Sequence, residues 1–124
     1  GNFTTMYQQT IQFADMQRGY IKFDNTQSFD GVELQTTTDI VVCSAGVYKI
    51  DISLSINNFY NSSNLVLLVN DTVVANLLSS FDNGNFSTTR ILNLQENDVI
   101  KFGATVTRFV LNPGLSVSVF KIAE

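Results

Sequence analysis

Two pairs of carboxylates stand close enough in the sequence to do acid–base work or hold a cation. Asp24 and Asp30 share the segment DNTQSFDG, and Glu96 and Asp98 share the turn QEND. General acid–base catalysis needs two such groups held with different proton affinities across one bond. Hard oxygen donors such as Asp24, Asn25 and Asp30, or Asp82 with Asn83, would also suit calcium, but their spacing is not that of an EF-hand loop. Turn aspartates more often satisfy nearby backbone N–H groups, and that is how these read. There is no histidine to act as a neutral-pH base or zinc ligand. Neither a G-x-S-x-G elbow nor a glycine-rich phosphate loop is present. The single cysteine, Cys43, excludes an internal disulfide and a multi-cysteine metal site. Set beside Val41 and Val42 with no cationic neighbour, it reads as a small buried thiol. No catalytic residue, metal site or cofactor is assigned, and the chain is read as a non-enzyme.

Binding chemistry is the better prospect. Phe59, Tyr60, Phe81 and Phe86 stand in polar, turn-rich stretches, where aromatic rings either stack on a sugar or receptor or fold back onto the core rim. Four N-x-S/T sequons begin at Asn2, Asn61, Asn70 and Asn85, as chance readily produces in a chain this rich in Asn, Ser and Thr. A net charge of −4 without a Lys/Arg cluster argues against nucleic acid and against an anionic membrane surface. The longest apolar run, Leu65 to Val69, is far too short to span a bilayer. The first residue is Gly1 rather than methionine, as in a processed or excised chain.

The elements that must position these groups are strands. From Gly46 to Asn57, Tyr48, Ile50, Ile52, Leu54 and Ile56 alternate with Lys49, Asp51, Ser53 and Ser55, the pattern of one long strand with one apolar face. Period-two patterns recur over 3–13, 20–23, 32–35, 39–43, 87–94, 99–106 and 115–123. Asn70-Asp71 joins Leu65–Val69 to Val73–Leu78 as a hairpin, and Asn112-Pro113-Gly114 breaks the chain before its last strand. Nine or ten strands at even spacing, with no linker or repeat, predict a single all-β domain over 1–124 of sandwich or barrel type.

The segment Ile40 to Ile50, with Gly46 and Tyr48 in a G-x-Y arrangement leading into a long strand, resembles the signature of C1q/tumour-necrosis-factor-like domains. Leu65–Asn70 with Val73-Val74, the stretch LNLQENDVI at 92–100, and the closing VSVFKI at 117–122 resemble that family's motifs in the same order. The chain departs from the pattern at Ile50, Ile52 and Asn97 and lacks the terminal phenylalanine–glycine motif. The closest flavour is that of carboxy-terminal heads of bacterial collagen-like, spore-surface glycoproteins. The resemblance implies a ten-stranded, two-layer jelly roll that packs as a homotrimer, with calcium near the trimer top in some relatives.

Beside it, strands that look apolar on both faces, Leu65–Val69 and the run Val117–Ile122, call for a second cover. That cover is a self-associating surface or an irregular strand. Tyr48, Ile100, Phe102, Phe120 and Ile122 are the expected trimer-interface residues, and Phe59, Tyr60, Phe81 and Phe86 the expected ligand contacts. The expected function is a trimeric head of a fibrous or collagen-like protein on a spore, virion or other extracellular surface. The alternatives are the receptor- or glycan-binding head of a phage tail fibre or adhesin, and a jelly-roll coat subunit.

Overall fold

The computed structural model describes residues 1–14, 17–28, 30–59, 64–79, 84–104 and 108–124. They form β1 (Asn2–Thr4), β2 (Gln9–Ala14), β3 (Gln17–Arg18), β4 (Asn25–Gln27), β5 (Val32–Leu34) and β6 (Ile40–Val42). The longer strands follow: β7 (Gly46–Phe59), β8 (Asn64–Val69), β9 (Thr72–Ser79), β10 (Gly84–Leu94), β11 (Val99–Ala104), β12 (Arg108–Leu111) and β13 (Ser116–Ala123).

Two antiparallel sheets face each other. The larger has eight strands in the order β3-β2-β12-β7-β13-β1-β4, with β10 on the other side of β7; the smaller has five, β5-β6-β11-β8-β9. The larger sheet is simpler than this order suggests. β12 and β13 lie end to end along β7, and β1 and β2 lie end to end along them. The register of this second pairing is unchanged from Asn2↔Ser118 to Gln12↔Arg108. The Asn112-Pro113-Gly114 breaker is therefore a bulge within one long strand, matched by a bulge at 5–8 opposite. Buried Thr5 ties the two bulges: its N–H donates to Leu115 O, its carbonyl accepts from Gly114 N, and its Oγ1 accepts from Leu115 N. Such a match keeps every inward side chain on the core face on both sides of the bulge.

The alternation read at 46–57 holds: Tyr48, Ile50, Ile52, Leu54 and Ile56 are buried between the sheets. They pack with Phe3, Phe23, Phe102, Phe109, Val117 and Val119 into one cluster. Phe23 stacks obliquely on Phe3 at 5.9 Å and edge-on to Phe102 at 6.3 Å. The expected strand at 20–23 is not one. Tyr20 makes a single bridge to Gly103, and Ile21 and Phe23 enter the core from an irregular segment.

β8 corrects one expectation. Val66 and Leu68 point away from the shared core, yet they are 0% and 1% exposed within this one chain. Arg18 and Tyr20 lie against the outer side of Gly103, the register partner of Val66. Lys101, the partner of Leu68, holds its ammonium 4.8 Å over the Tyr20 ring and 3.0 Å from Asp71. The second apolar face of β8 is thus covered from within the chain, and no neighbour is needed to explain it.

Candidate functional site

Tyr48 is the residue most tied to the expected motif, and its hydroxyl donates its one proton to Ser44 O at 2.6 Å, with Gly31 O 3.3 Å away. Gly46 is needed for close approach: a Cβ there would meet Lys121 Cε and Ala123 O. Gly31 has φ +88°, and a Cβ on it would collide with the Tyr48 hydroxyl. Three of the expected interface residues must be reassigned. Tyr48, Ile100 and Phe102 are 0% exposed inside the single chain, so they have no surface to offer a neighbour. Their rings and branches face the opposite sheet, because inward parity on β7 and β11 points to the chain's own core.

Phe120 and Ile122 are placed differently. Val117 and Val119 face the core, so Ser116, Ser118 and Phe120 face out; the alternation holds as far as Phe120 and is broken by a register shift after Lys121. In register, Phe120 and Ile91 flank Lys49 on either side. Ile91 is 60% and Ile122 51% exposed, while Phe120 is half-buried. Ile122 stands at a register shift between Lys121 and Ala123, next to half-buried Val47. A groove of about 320 Å³ between Gly46–Val47, Asn93–Gln95 and Glu124 adjoins this cluster. Ile91 was missed from sequence. The adjacent pair Ile91-Leu92 carried the signal, since only one of two consecutive strand residues can face inward.

The two neighbouring rows of that outer face are polar. One row reads Thr89, Asp51, Ser118, Asn2 and Gln27 across the strands, and the next Ser87, Ser53, Ser116, Thr4 and Asn25. Many of these groups are already engaged. Thr89 Oγ1 donates to Asp51 Oδ1 at 2.5 Å, Ser118 Oγ to Asn2 Oδ1 at 2.9 Å, and Asn112 Nδ2 to Ser55 Oγ at 3.0 Å. Lys49 Nζ lies 3.9 Å from Asp51 Oδ2.

The proposed ligand aromatics fare less well. Phe86 lies on β10 opposite Leu54 and packs against the core, so it is a rim residue and not a loop contact. β7 runs on to Phe59, two residues into the expected loop. The Phe59 side chain, Tyr60 and Phe81 lie outside the described residues, as do Asp82, Asn83 and Asn61.

The carboxylates do not converge. Asp24 accepts from Met6 N at 3.1 Å, beyond the Thr4 end of β1, and Asp30 accepts from Lys121 N at 3.1 Å, beyond the other end. Asp98 accepts from Gln95 N and from Asn70 Nδ2, both at 2.8 Å. Among the described residues no three Cys, Asp or Glu side chains gather as a metal site would require. The Asn70 carboxamide is engaged at both ends, its Oδ1 accepting from Val99 N, whereas Asn85 is exposed on β10.

Cys43 is exposed, against expectation. β6 stops at Val42, and the chain turns at Cys43 with its N–H on Gly31 O. Partial burial, then the charges of Glu33 and Glu96, push its thiol pKa up.

No family model matches the sequence, nor does any of the curated proteins. Solved structures do match. Murine APRIL superposes with a TM-score of 0.75 at 12% identity, over 98% of this chain and 96% of that one. Eiger TNF from S. frugiperda gives 0.73 at 14% identity, over 99% and 91%. Rabbit GITRL gives 0.60 at 10% identity, over 92% and 93%. The likeness is one of fold: this chain is a two-layer jelly roll of the C1q/tumour-necrosis-factor-like kind.

Proposed function

We propose that this chain is a non-enzymatic homotrimeric head that drives trimer assembly of a fibrous or collagen-like bacterial surface protein, as on a spore surface outside the cell. One observation carries the reading: the apolar cluster of Ile91, Phe120 and Ile122 around Lys49, bordered by two polar rows of the same sheet face. Exposed apolar clusters rimmed by polar residues mark contacts, and a second copy of the same chain is always at hand. The number three comes from the family resemblance, and the fold likeness supports it. An odd-numbered ring also requires head-to-tail contacts between two different surfaces of each copy.

Both ends of the chain lie beside the cluster. Gly1 pairs with Val119, and β13 runs on from there to Ala123. Association at this end would gather three chains where a stalk joins the head, raising the stalk's effective concentration. Light scattering or sedimentation at micromolar concentration tests the reading. The expected mass is three times 13.8 kDa, falling to one with Ile91→Ser and Ile122→Ser together. A monomeric wild-type chain overturns it. The second reading, a receptor- or glycan-binding head, no longer has Phe86 to rest on, but a different part of the molecule favours it.

A further inference from the structure

At the lateral edge of the larger sheet opposite β10, a groove of about 210 Å³ is lined by Asn2, Thr4, Asn25, Thr26 and Gln27. Sites for drug-sized ligands span ~300–1,000 Å³, so this one has room for a single small ring. All five lining residues are uncharged carboxamides or hydroxyls. Asn2 Oδ1 is taken by Ser118, which leaves its amide N–H groups as donors. Thr4 Oγ1 donates to Asn25 O at 3.2 Å, which leaves its lone pairs as acceptors. The exposed Asn25 and Gln27 add two further carboxamides, each both donor and acceptor. Such a set matches a ligand bearing several neutral hydroxyls. It offers no cation to a phosphate or carboxylate.

The neighbouring bulge adds what the groove lacks. Met6 and Tyr7 are 59% and 70% exposed, the latter the most exposed large apolar residue described. The backbone that carries them is anchored on both sides. Asp24 takes Met6 N–H, and Asp24 N donates back to Thr4 O. The Gln9 carboxamide grips Lys22 from both ends, its Nε2 donating to Lys22 O at 2.7 Å and its Oε1 accepting from Lys22 N at 2.9 Å. The same hydrogen bonds set the bulge against the Thr4–Asn25 end of the groove. An exposed aromatic residue on a bulge anchored next to an uncharged hydrogen-bonding groove supplies the two chemistries that recognise a sugar. The ring covers the apolar C–H face while amides and hydroxyls take the hydroxyl groups.

We propose that Tyr7 and the groove formed by Asn2, Thr4, Asn25 and Gln27 bind one neutral saccharide ring. The groove begins one row from the Ile91 cluster on the same sheet face, and all of its residues come from a single copy of the chain.

Saturation-transfer NMR on the full chain tests it, with galactose, N-acetylglucosamine, rhamnose and sialic acid as separate probes. At least one neutral sugar is expected to bind in the millimolar range, with sialic acid silent. Tyr7→Ala and Asn25→Ala should each weaken binding about tenfold, Tyr7→Phe should restore most of it, and Ile91→Ser should change nothing. The variant sites are exposed, so unchanged circular dichroism is expected and confirms folding. Silence from all three neutral sugars overturns the proposal, as does binding that survives both alanine variants or that favours sialic acid.

Discussion

Tyr48 shows how one residue ties a turn to a core. Its ring fills the space between the sheets, and its hydroxyl donates to the Ser44 carbonyl, while the neighbouring Gly31 carbonyl is already engaged by Cys43 N. Tyr48→Phe keeps the ring and leaves the Ser44 carbonyl without this donor, which should cost about 1–2 kcal/mol. Urea denaturation should read this as a lower midpoint with an unchanged slope, and the particle mass should not move. Cys43 makes the opposite point, since a one-residue error in a strand end moved it from core to surface. Its raised pKa keeps the thiolate scarce despite exposure. Alkylation of the native protein should therefore be slower near neutral pH than that of a free cysteine. Its rate should go on rising with pH past the ordinary thiol value of 9.0, where that of the unfolded chain levels off. A fast native reaction at neutral pH would contradict the assigned environment.

At the scale of elements, the inward faces were legible because strand alternation is a local property. Tyr48 through Ile56 and Ile100 through Ala104 point where their parity puts them. What covers an outward apolar residue is not local, and that is where the sequence misled. Val66 and Leu68 look like an interface from their own strand, but Arg18, Tyr20 and Lys101 arrive from elsewhere to shield them. Gly103 permits that approach: a Cβ there would lie 2.7 Å from Gly19 O and 3.1 Å from Tyr20 Cδ1. Gly103→Ala should push the 18–20 segment off β11, straining the Ala104 N–Gly19 O bond. The expected loss is about 1–3 kcal/mol, with β11 and the core otherwise intact. Hydrogen exchange should show faster exchange at Ile21 and Ala104, whose N–H groups bridge the two segments. If exchange is unchanged, the cover over β8 has another source.

At the scale of the whole molecule, the pairing that closes the larger sheet joins the two ends of the chain, Asn2 against Ser118 and Gly1 against Val119. No local pattern reveals such a contact, because its two partners stand more than a hundred residues apart. The candidate site was half legible for the same reason. Phe120 and Ile122 could be read as apolar residues at outward positions, but their meeting with Ile91 across Lys49 depends on β7 lying between β10 and β13. That arrangement leaves apolar surface at the end where both termini emerge, and in the proposed assembly its burial between copies would link association to stability. Any partner that binds only the folded chain raises its melting temperature by mass action, by an amount that grows with concentration. Scanning calorimetry across a hundredfold range of protein concentration should show the wild-type midpoint climbing. Ile91→Ser with Ile122→Ser should flatten that dependence while leaving the stability of the dilute chain within about 0.5 kcal/mol of wild type, as exposed substitutions do. A flat wild-type profile would mean that the cluster stays in water, and a double variant that melts early at every concentration would mean that it serves the monomer's own fold.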